Sequence, residues 1–419
     1  MISRKASILD FDWLSVVLFT LLVGIGIISI YSATYIEGEE ELLKTFYGKQ
    51  IVWFAFSFIL VIIVSFIPLK FIKINASLFY MFGIVMLILV LLIGANINGN
   101  KSWFRIGSFT LQPAEFVKLT TVLGLAKLMT DHNFSLRSIK SFFQATLLIG
   151  VPALLILLQP DLGSTIVFMS LFLVLYREGL HINFFLYSFL LASLFILTIY
   201  FGQNQLLISV AIIYLAINLF AKYFLKKWVW IKTGIVLVVS FITILGTNFV
   251  FHNVLKPHQR NRIEIVLQKK KDDKGTGYNL KQALIAIGTG GLKGKGLLNG
   301  TQTQGDYIPE QHTDWILTVI GEQWGFMGTM TVVLLYTLLL LRLIFLAERQ
   351  KQKFSRIIGY GLVSILLIHY ALNMLMVLGL FPTIGIPLPF LSYGGSSLWA
   401  FTLMLFIFLK FDAHRVEDW

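Results

Sequence analysis

Residues 13–33 read WLSVVLFTLLVGIGIISIYSA, a stretch that contains no charged side chain. A helix of about 20 apolar residues crosses the hydrocarbon core of a bilayer, and this stretch has that length. It is too long for the apolar core of a cleavable signal peptide, so we expect it to remain as a membrane anchor. Because lipid offers no hydrogen-bond partners, the backbone at this depth must bond to itself, which favours a helix.

Further apolar stretches of similar character follow along the chain. They cover residues 50–67, 76–95, 113–130, 142–158, 163–177, 183–201, 206–224, 229–251, 315–341, 357–379 and 393–411. The sequence therefore predicts an all-α polytopic membrane protein with about 12 transmembrane helices, in a single integral membrane domain that covers residues 1–419. The composition agrees, because 57% of the residues are hydrophobic and 13% are charged, against roughly 25% charged residues in soluble domains. A soluble enzyme and a disordered chain are excluded, and the lack of cysteine excludes disulfides and thiolate metal sites.

Lysine and arginine in the short loops predict the orientation, because cytoplasmic loops carry an excess of these residues. Basic side chains recur in every second connection, as at 137–140 and 349–356, and the first outside loop is acidic at 37–41. Both termini are therefore expected on the cytoplasmic side. The net charge of +13 follows from this pattern and requires no nucleic-acid partner. Residues 252–314 then form a large extracytoplasmic loop, whose helix-forming stretch at 280–287 predicts that it is ordered.

Ionisable side chains at membrane depth mark candidate functional sites, because a charge that faces lipid is costly. The first candidate is the segment 112–118, QPAEFVK, where an outside loop enters the fourth span. Glu115 and Lys118 share one helical face and are able to pair, and the alternative to a functional role is an ion pair that only locks two helices together. The second candidate is Asp161 in the segment 159–164, QPDLGS, which is either functional or a helix cap in a tight turn.

The third candidate is the end of the large loop, where Glu310, His312 and Asp314 crowd the outer mouth of a spanning helix. A partly desolvated carboxylate at Asp314 suits a general base that takes a proton from an alcohol. The alternative is that Thr313 or Asp314 only caps the helix that follows. Glu322 lies deeper on that helix, where it must be paired or protonated.

The fourth candidate is the segment 382–397, whose prolines and repeated glycines cannot continue a spanning helix. Irregular backbone survives at membrane depth only against protein or a wet cavity. Successive N–H groups at Gly394, Gly395 and Ser396 are able to receive an anion such as a phosphate. Packing of helices through small residues is the alternative.

All four candidates lie at the outer face of the membrane under the predicted orientation, where cytosolic nucleotides are not available. Chemistry there needs an energised substrate already in the membrane, such as a lipid-linked diphosphate. Basic residues of the large loop would neutralise the leaving diphosphate, and an acidic residue would deprotonate the attacking hydroxyl. The residues alone thus indicate a glycosyl or phosphoryl transferase that acts on a lipid carrier, or a transporter of an anionic lipid.

A series of motifs runs through nearly the whole chain in a fixed order. They are Trp103-Phe104-Arg105, Gln112-Pro113-Ala114-Glu115 with Lys118, Gln159-Pro160-Asp161-Leu162-Gly163, Gln259-Arg260-Asn261-Arg262, Gly277-Tyr278, Ala286-Ile287-Gly288-Thr289-Gly290-Gly291-Leu292, Gly294-Lys295-Gly296, Pro309-Glu310-Gln311-His312-Thr313-Asp314, and Pro387-Leu388-Pro389 with Ser392-Tyr393-Gly394-Gly395-Ser396. Together they resemble the SEDS family (shape, elongation, division and sporulation). Residues 300–304, GTQTQ, are more similar to its elongation branch than to its division branch.

This resemblance implies a peptidoglycan glycosyltransferase that polymerises lipid II at the outer face of the bacterial cytoplasmic membrane during elongation and releases undecaprenyl diphosphate. It places the essential catalytic acid residue on Asp314, to which we assign the role of general base. The residues expected to bind the substrate are Trp103, Arg105, Gln112, Glu115, Lys118, Asp161, Arg260, Arg262, Lys281, Glu310, His312, Thr313, Ser392, Tyr393, Gly394, Gly395 and Ser396. It also implies a class B penicillin-binding protein as partner. A divalent cation (Mg²⁺ or Mn²⁺) at the diphosphate is compatible with it, although no residue demands one.

Two alternatives to the polymerase stay open, a transporter that flips lipid II and a non-catalytic scaffold for the penicillin-binding protein. A polymerase should lose its activity when Asp314 is replaced by alanine, whereas a flippase should depend more on charge in the cavity than on an outside base. Members of the family usually have ten spans, fewer than the number of apolar stretches here. We therefore expect residues 183–224 to form an extra helix pair.

Overall fold

The computed structural model describes residues 11–35, 41–97, 100–107, 109–224, 226, 230–270 and 275–416. Helices dominate these ranges, and in chain order they are α1 (Trp13–Thr34), α2 (Phe46–Phe66), α3 (Leu69–Ile93), α4 (Pro113–Met129), α5 (Ile139–Leu157), α6 (Leu162–Met169), α7 (Phe172–Arg177), α8 (Asn183–Phe201), α9 (Gln203–Tyr223), α10 (Trp230–Phe249), α11 (Pro257–Val266), α12 (Thr276–Gly290), α13 (Thr301–Gln304), α14 (Ile316–Glu348), α15 (Lys353–Val377) and α16 (Gly395–Ala413). The strands β1 (Ala95–Ile97), β2 (Asn100–Ile106) and β3 (Phe109–Leu111) form an antiparallel sheet in the order β1-β2-β3.

The described part of the chain has 10 helices long and apolar enough to cross a membrane, so the predicted all-α polytopic class is confirmed. The predicted fourth and sixth spans fall outside this set. The fourth, α4, has 17 residues and carries Glu115, Lys118 and Lys127. The sixth is divided into the short helices α6 and α7. The count of 12 spans thus stays a prediction, because it depends on these two segments.

The chain divides into two compact units. The first consists of Met1–Gly179 with Tyr278–Trp419, and the second of Leu180–Gly277. Within the second unit α10 packs against α8 and α9. Leu194, Leu206 and Ile244 form a small apolar core there. The predicted pair at 183–224 is therefore a helical hairpin, and its status as an addition to the family pattern stays a prediction.

Helix α4 lies inside the first unit, where it contacts α3, α15 and α16. Thirteen of its residues are buried, among them Glu115 and Lys118. A helix with these charges is compatible with a membrane protein because its polar groups face other helices and not lipid. The burial explains why α4 is less apolar than the other predicted spans.

The large loop at 252–314 contains three helices, α11, α12 and α13, so the prediction of order at 280–287 is confirmed. The glycine-rich segment after α12 pairs through its backbone with a break in α14. Phe326 N donates to Gly291 O at 2.8 Å, and Lys295 N donates to Glu322 O at 3.0 Å. Gly325 interrupts α14 with φ +65°, which costs a residue with a side chain about 1–2 kcal/mol.

Candidate active site

Asp314 lies in the turn that leads into α14 and is half-buried. Trp315 occupies the N-cap position of α14 and makes no capping bond through its side chain. The Thr313 hydroxyl instead donates to Glu310 O at 3.0 Å. Trp315, the residue after Asp314, thus holds the N-cap position of this helix.

The loop at 382–394 packs along the turn that carries Asp314. The Ser392 hydroxyl donates to Thr313 O at 2.7 Å, and Tyr393 N donates to His312 O at 2.9 Å. Gly385 has φ +71°, and a β-carbon placed on it would lie 3.2 Å from Asp314 Oδ2. The irregular, proline-rich backbone thus lies against protein, one of the two surroundings that the sequence allowed. It borders the carboxylate with a residue that has no side chain.

Two buried side chains of α15 bind the backbone of the 382–394 loop, and one of them also binds the backbone of Asp314. Asn373 Nδ2 donates to Asp314 O at 2.9 Å and to Ile386 O at 2.7 Å. One turn earlier, His369 Nδ1 lies 3.1 Å from Pro387 O and Nε2 lies 2.9 Å from Lys118 Nζ. Neither residue was identified from the sequence. Their spacing of one helical turn beside an irregular loop was the available signal.

Glu115 and Lys118 form the ion pair that their spacing predicted, with 2.7 Å between Lys118 Nζ and Glu115 Oε1. The two side chains are 4% and 1% exposed. The ammonium also lies 5.2 Å from the centroid of the Phe401 ring. The pair is therefore enclosed by protein. Any effect of Glu115 and Lys118 on the substrate, as the sequence predicted, must be indirect and act through the residues around them.

Asp161 caps α6, because its carboxylate accepts bonds from Ser164 N at 2.9 Å and from Ser164 Oγ at 2.8 Å. It also accepts a bond from Gln112 Nε2 at 3.0 Å. Gln112 N in turn donates to Ser396 Oγ at 3.2 Å. The cap interpretation is thus confirmed, and the same contacts join three motifs that lie far apart in the sequence.

His312 packs between aromatic rings, 4.3 Å from the centroid of Phe46 and 5.5 Å from that of Tyr393. Its Nε2 lies 3.9 Å from the exposed Glu310 carboxylate. Burial lowers the pKa of His312, an effect that Glu310 and Asp306 oppose. The imidazole is therefore neutral at pH 7 and is able to hydrogen-bond as donor or acceptor.

The anion site at Gly394, Gly395 and Ser396 stays a prediction, and one of its three N–H groups is bonded within the protein. Gly394 N donates to Gln50 Oε1 at 3.1 Å. Gly395 has no room for a side chain against the Trp53 ring, since a β-carbon there would lie 2.9 Å from it. Close packing of small residues, the alternative interpretation, is therefore present at Gly395. Sequence reasoning did not identify Gln50.

The remaining predicted residues lie on other elements. Trp103 and Arg105 are on β2, with Arg105 exposed, and Lys281 is exposed on α12. Arg260 and Arg262 are on α11, which belongs to the second unit. Within the described ranges no group of three or more histidine, aspartate and glutamate side chains is placed to hold a metal ion.

The chain matches the family model FTSW_RODA_SPOVE, described as cell cycle protein, over residues 12–210 and 203–417. It is 30% identical to the peptidoglycan glycosyltransferase RodA of Treponema pallidum (strain Nichols), with 99% of this chain and 100% of that protein covered. It is 31% identical to the peptidoglycan glycosyltransferase MrdB of Escherichia coli (strain K12), with 94% and 93% covered.

A solved structure has the same fold over nearly the whole chain. It comes from work on the structural coordination of polymerization and crosslinking by a peptidoglycan synthase complex. The TM-score is 0.70 at 26% sequence identity, and 97% of this chain and 99% of that chain are covered. The similarity thus includes both compact units.

Proposed function

The chain belongs to the FtsW/RodA/SpoVE family of cell cycle proteins, and we propose that it is a peptidoglycan glycosyltransferase that polymerises lipid II. It is a multi-pass bacterial membrane protein whose relatives are named for this enzymatic activity. Both termini lie in the cytoplasm, and the 252–314 loop lies outside. The reaction therefore takes place at the outer face of the membrane, with a lipid-linked diphosphate as the energised substrate.

Asp314 is the general base of this reaction. Its carboxylate takes the proton from a sugar hydroxyl of the acceptor as that oxygen bonds to the anomeric carbon of the donor sugar. The bond between the anomeric carbon and the diphosphate oxygen breaks, and undecaprenyl diphosphate leaves with the electron pair. The observation that carries this role is the half-buried carboxylate next to Gly385, on a backbone that Asn373 fixes.

Charge neutralisation of the leaving diphosphate falls to basic side chains outside the membrane. Arg105 and Lys281, which are exposed in the first unit, are the side chains that we propose for this role. The predicted roles of Arg260 and Arg262 on α11 stay predictions. Preorganised positive charge stabilises the additional negative charge that develops on the diphosphate as its bond to the sugar breaks. A divalent cation would supply the same stabilisation, and no residue of the described ranges requires one.

A class B penicillin-binding protein is the partner that we propose. The solved structure with the same fold belongs to a complex that coordinates polymerization and crosslinking. A glycan strand made by this chain requires a transpeptidase that cross-links it. The partner's domain would accept the strand at the outer face, where Asp314 lies under the proposed orientation.

The experiment that tests this function measures glycan chains formed from lipid II by the purified protein with its partner. We expect the wild type to form polymer and D314N to form none while it remains folded. If the protein is a lipid II transporter, the D314N variant would still move labelled lipid II across the membrane of vesicles. If it is a scaffold, even the wild-type protein would form no polymer. Either result would contradict the proposed function.

A further inference from the structure

His369 and Asn373 hold two consecutive carbonyl groups of the 382–394 loop, those of Pro387 and Ile386. Both side chains are buried. We call these two residues the α15 clamp. The loop that they hold carries Gly385, the residue that borders the Asp314 carboxylate. The backbone on both sides of that carboxylate is thus attached to one helix.

The two partners of His369 determine which nitrogen carries the proton. A carbonyl oxygen only accepts, so Nδ1 must donate to Pro387 O, and an ammonium only donates, so Nε2 must accept from Lys118. Lys118 also donates to Glu115 Oε1 at 2.7 Å. With these partners on its two nitrogens, the imidazole carries its proton on Nδ1.

A rigid ring in this state joins two parts of the site. On one side it binds the ammonium of the buried Glu115–Lys118 pair, at 2.9 Å from Nζ. On the other side it binds the loop backbone at Pro387 O. A displacement of Lys118 would therefore move the loop, whose Gly385 borders the carboxylate of Asp314.

We propose that His369 is a positioning residue for glycosyl transfer, which couples the Lys118 ammonium to the 382–394 loop and thereby sets the position of the Asp314 carboxylate. This inference rests on the proposed function. His369 acts without touching the substrate, and Asn373 completes the clamp because it also binds Asp314 O at 2.9 Å. A predicted substrate residue, Lys118, then acts on the reaction through His369 and the loop.

Two substitutions separate the two contacts of the ring. The side-chain amide of asparagine reaches the position of Nδ1, so H369N keeps a donor for Pro387 O and loses the acceptor for Lys118. The amide of glutamine reaches the position of Nε2, so H369Q keeps the acceptor and loses the donor. Misplacement of a reacting group by about 1 Å costs roughly 100-fold in rate. We therefore expect kcat to fall about 100-fold in H369Q, which frees the loop, and about tenfold in H369N, which loses only the contact with Lys118.

The experiment uses the full-length protein with its partner and lipid II as substrate. We expect KM to stay within about twofold of the wild type in both variants, since neither contact involves the substrate. Thermal unfolding checks that both variants fold. H132Q, a substitution at an exposed histidine outside the site, is the matched control and should keep the wild-type rate. Equal losses of kcat in H369N and H369Q would overturn the inference, as would losses that simply follow the melting temperature.

Hydrogen exchange gives a readout that does not depend on activity. Amides of residues 382–394 should exchange faster in H369Q than in the wild type, and at the wild-type rate in H369N. Unchanged exchange in both variants would overturn the clamp. A wild-type protein that forms no glycan would instead overturn the proposed function, and with it the positioning role, whatever the exchange result. The two failures are therefore distinguishable.

Discussion

Asp314 and Glu322 lie close together in the sequence at the start of α14, but their surroundings are opposite. Glu322 is fully buried. Its Oε1 accepts hydrogen bonds from Lys295 Nζ and Gln302 N, both at 2.9 Å. Its Oε2 accepts hydrogen bonds from Thr303 N at 2.9 Å and from Thr303 Oγ1 at 2.7 Å. Asp314 is half-buried and is bordered by a glycine. The Glu322 carboxylate serves the fold, and the Asp314 carboxylate is the one that we propose as the general base.

This comparison shows how neighbouring acidic residues acquire different roles. Hydrogen bonds to both oxygens stabilise an ionised carboxylate and occupy the lone pairs that a proton would need. Glu322 thus anchors the segment around α13 to α14. The main chain of Asp314, in contrast, is held through Asn373, while its carboxylate lies at the edge of the loop.

Removal of the Glu322 carboxylate should have the largest effect on stability. E322A leaves Lys295 and the amides of Gln302 and Thr303 without their acceptor, and breaking a buried pair costs about 3–5 kcal/mol. We expect the melting temperature to fall by more than about 5 °C. The control is E348A on the same helix, because its salt bridge with Arg177 is half-exposed and worth about 1 kcal/mol or less. Equal effects of the two substitutions would contradict the anchoring role.

The buried Glu115–Lys118 pair tests whether a sealed charge is able to serve the reaction. K118A should lower the polymerisation rate at least about tenfold, because the ammonium no longer holds His369. K127A, at an exposed position of the same helix α4, is the control and should leave the rate unchanged.

Charge removal also affects stability, so the double variant E115Q/K118M separates the two effects. Replacement of both partners of a buried pair by neutral groups of similar volume is often close to neutral for folding. We expect this variant to fold as the wild type does and to remain slow. Full polymerase activity in the double variant would show that the pair only locks helices together.

A side chain at Gly385 should disturb Asp314 directly. In G385A the new β-carbon would lie 3.2 Å from Asp314 Oδ2, which displaces the carboxylate slightly. We expect kcat to fall about threefold to tenfold. G379A is the matched control, because Gly379 has nearly the same φ (+72° against +71°) and meets only Leu280, at 3.4 Å. The loss of rate should occur in G385A alone, and a similar loss in both would assign it to backbone strain.

The smallest expected effect is a pH dependence of stability from His312. Burial lowers the pKa of His312 in the folded protein, so the unfolded chain binds the proton more readily. The resulting contribution of His312 to the free energy of unfolding is fully present above about pH 6.5, the ordinary pKa of histidine. It is lost as the pH falls from there through the lower pKa of the folded protein. The melting temperature of the wild type should thus fall more between pH 7 and pH 5 than that of H312Q. Parallel curves for the two proteins would contradict the prediction.

Hydropathy was sufficient to predict the helical membrane fold, because each spanning segment must be apolar in its own sequence. The interior helix α4 and the divided α6 and α7 were harder to interpret, since their burial depends on neighbouring helices. Spacing along one helix also predicted the Glu115–Lys118 pair. Local sequence rules were therefore enough wherever the partners lie within a few residues.

The rest of the site depends on contacts between distant segments. Gln50, His369 and Asn373 bind backbone atoms of the 382–394 loop, and Gly385 matters only because Asp314 lies opposite. Backbone groups are present in every residue, so such contacts leave no mark in the composition or the spacing. The Gly394 N–H shows the same limit, because its bond to Gln50 became visible only in the folded chain.

The assignment of the general base to Asp314 is tested most directly by the rate of lipid II polymerisation per folded molecule in D314N and E322Q. Loss of a general base costs about 10²- to 10⁴-fold, so D314N should fold as the wild type does and fall by at least that factor. E322Q should yield less folded protein, whose molecules each polymerise at close to the wild-type rate. Wild-type activity per molecule in D314N, or inactive but fully folded E322Q, would contradict the assignment of the base to Asp314.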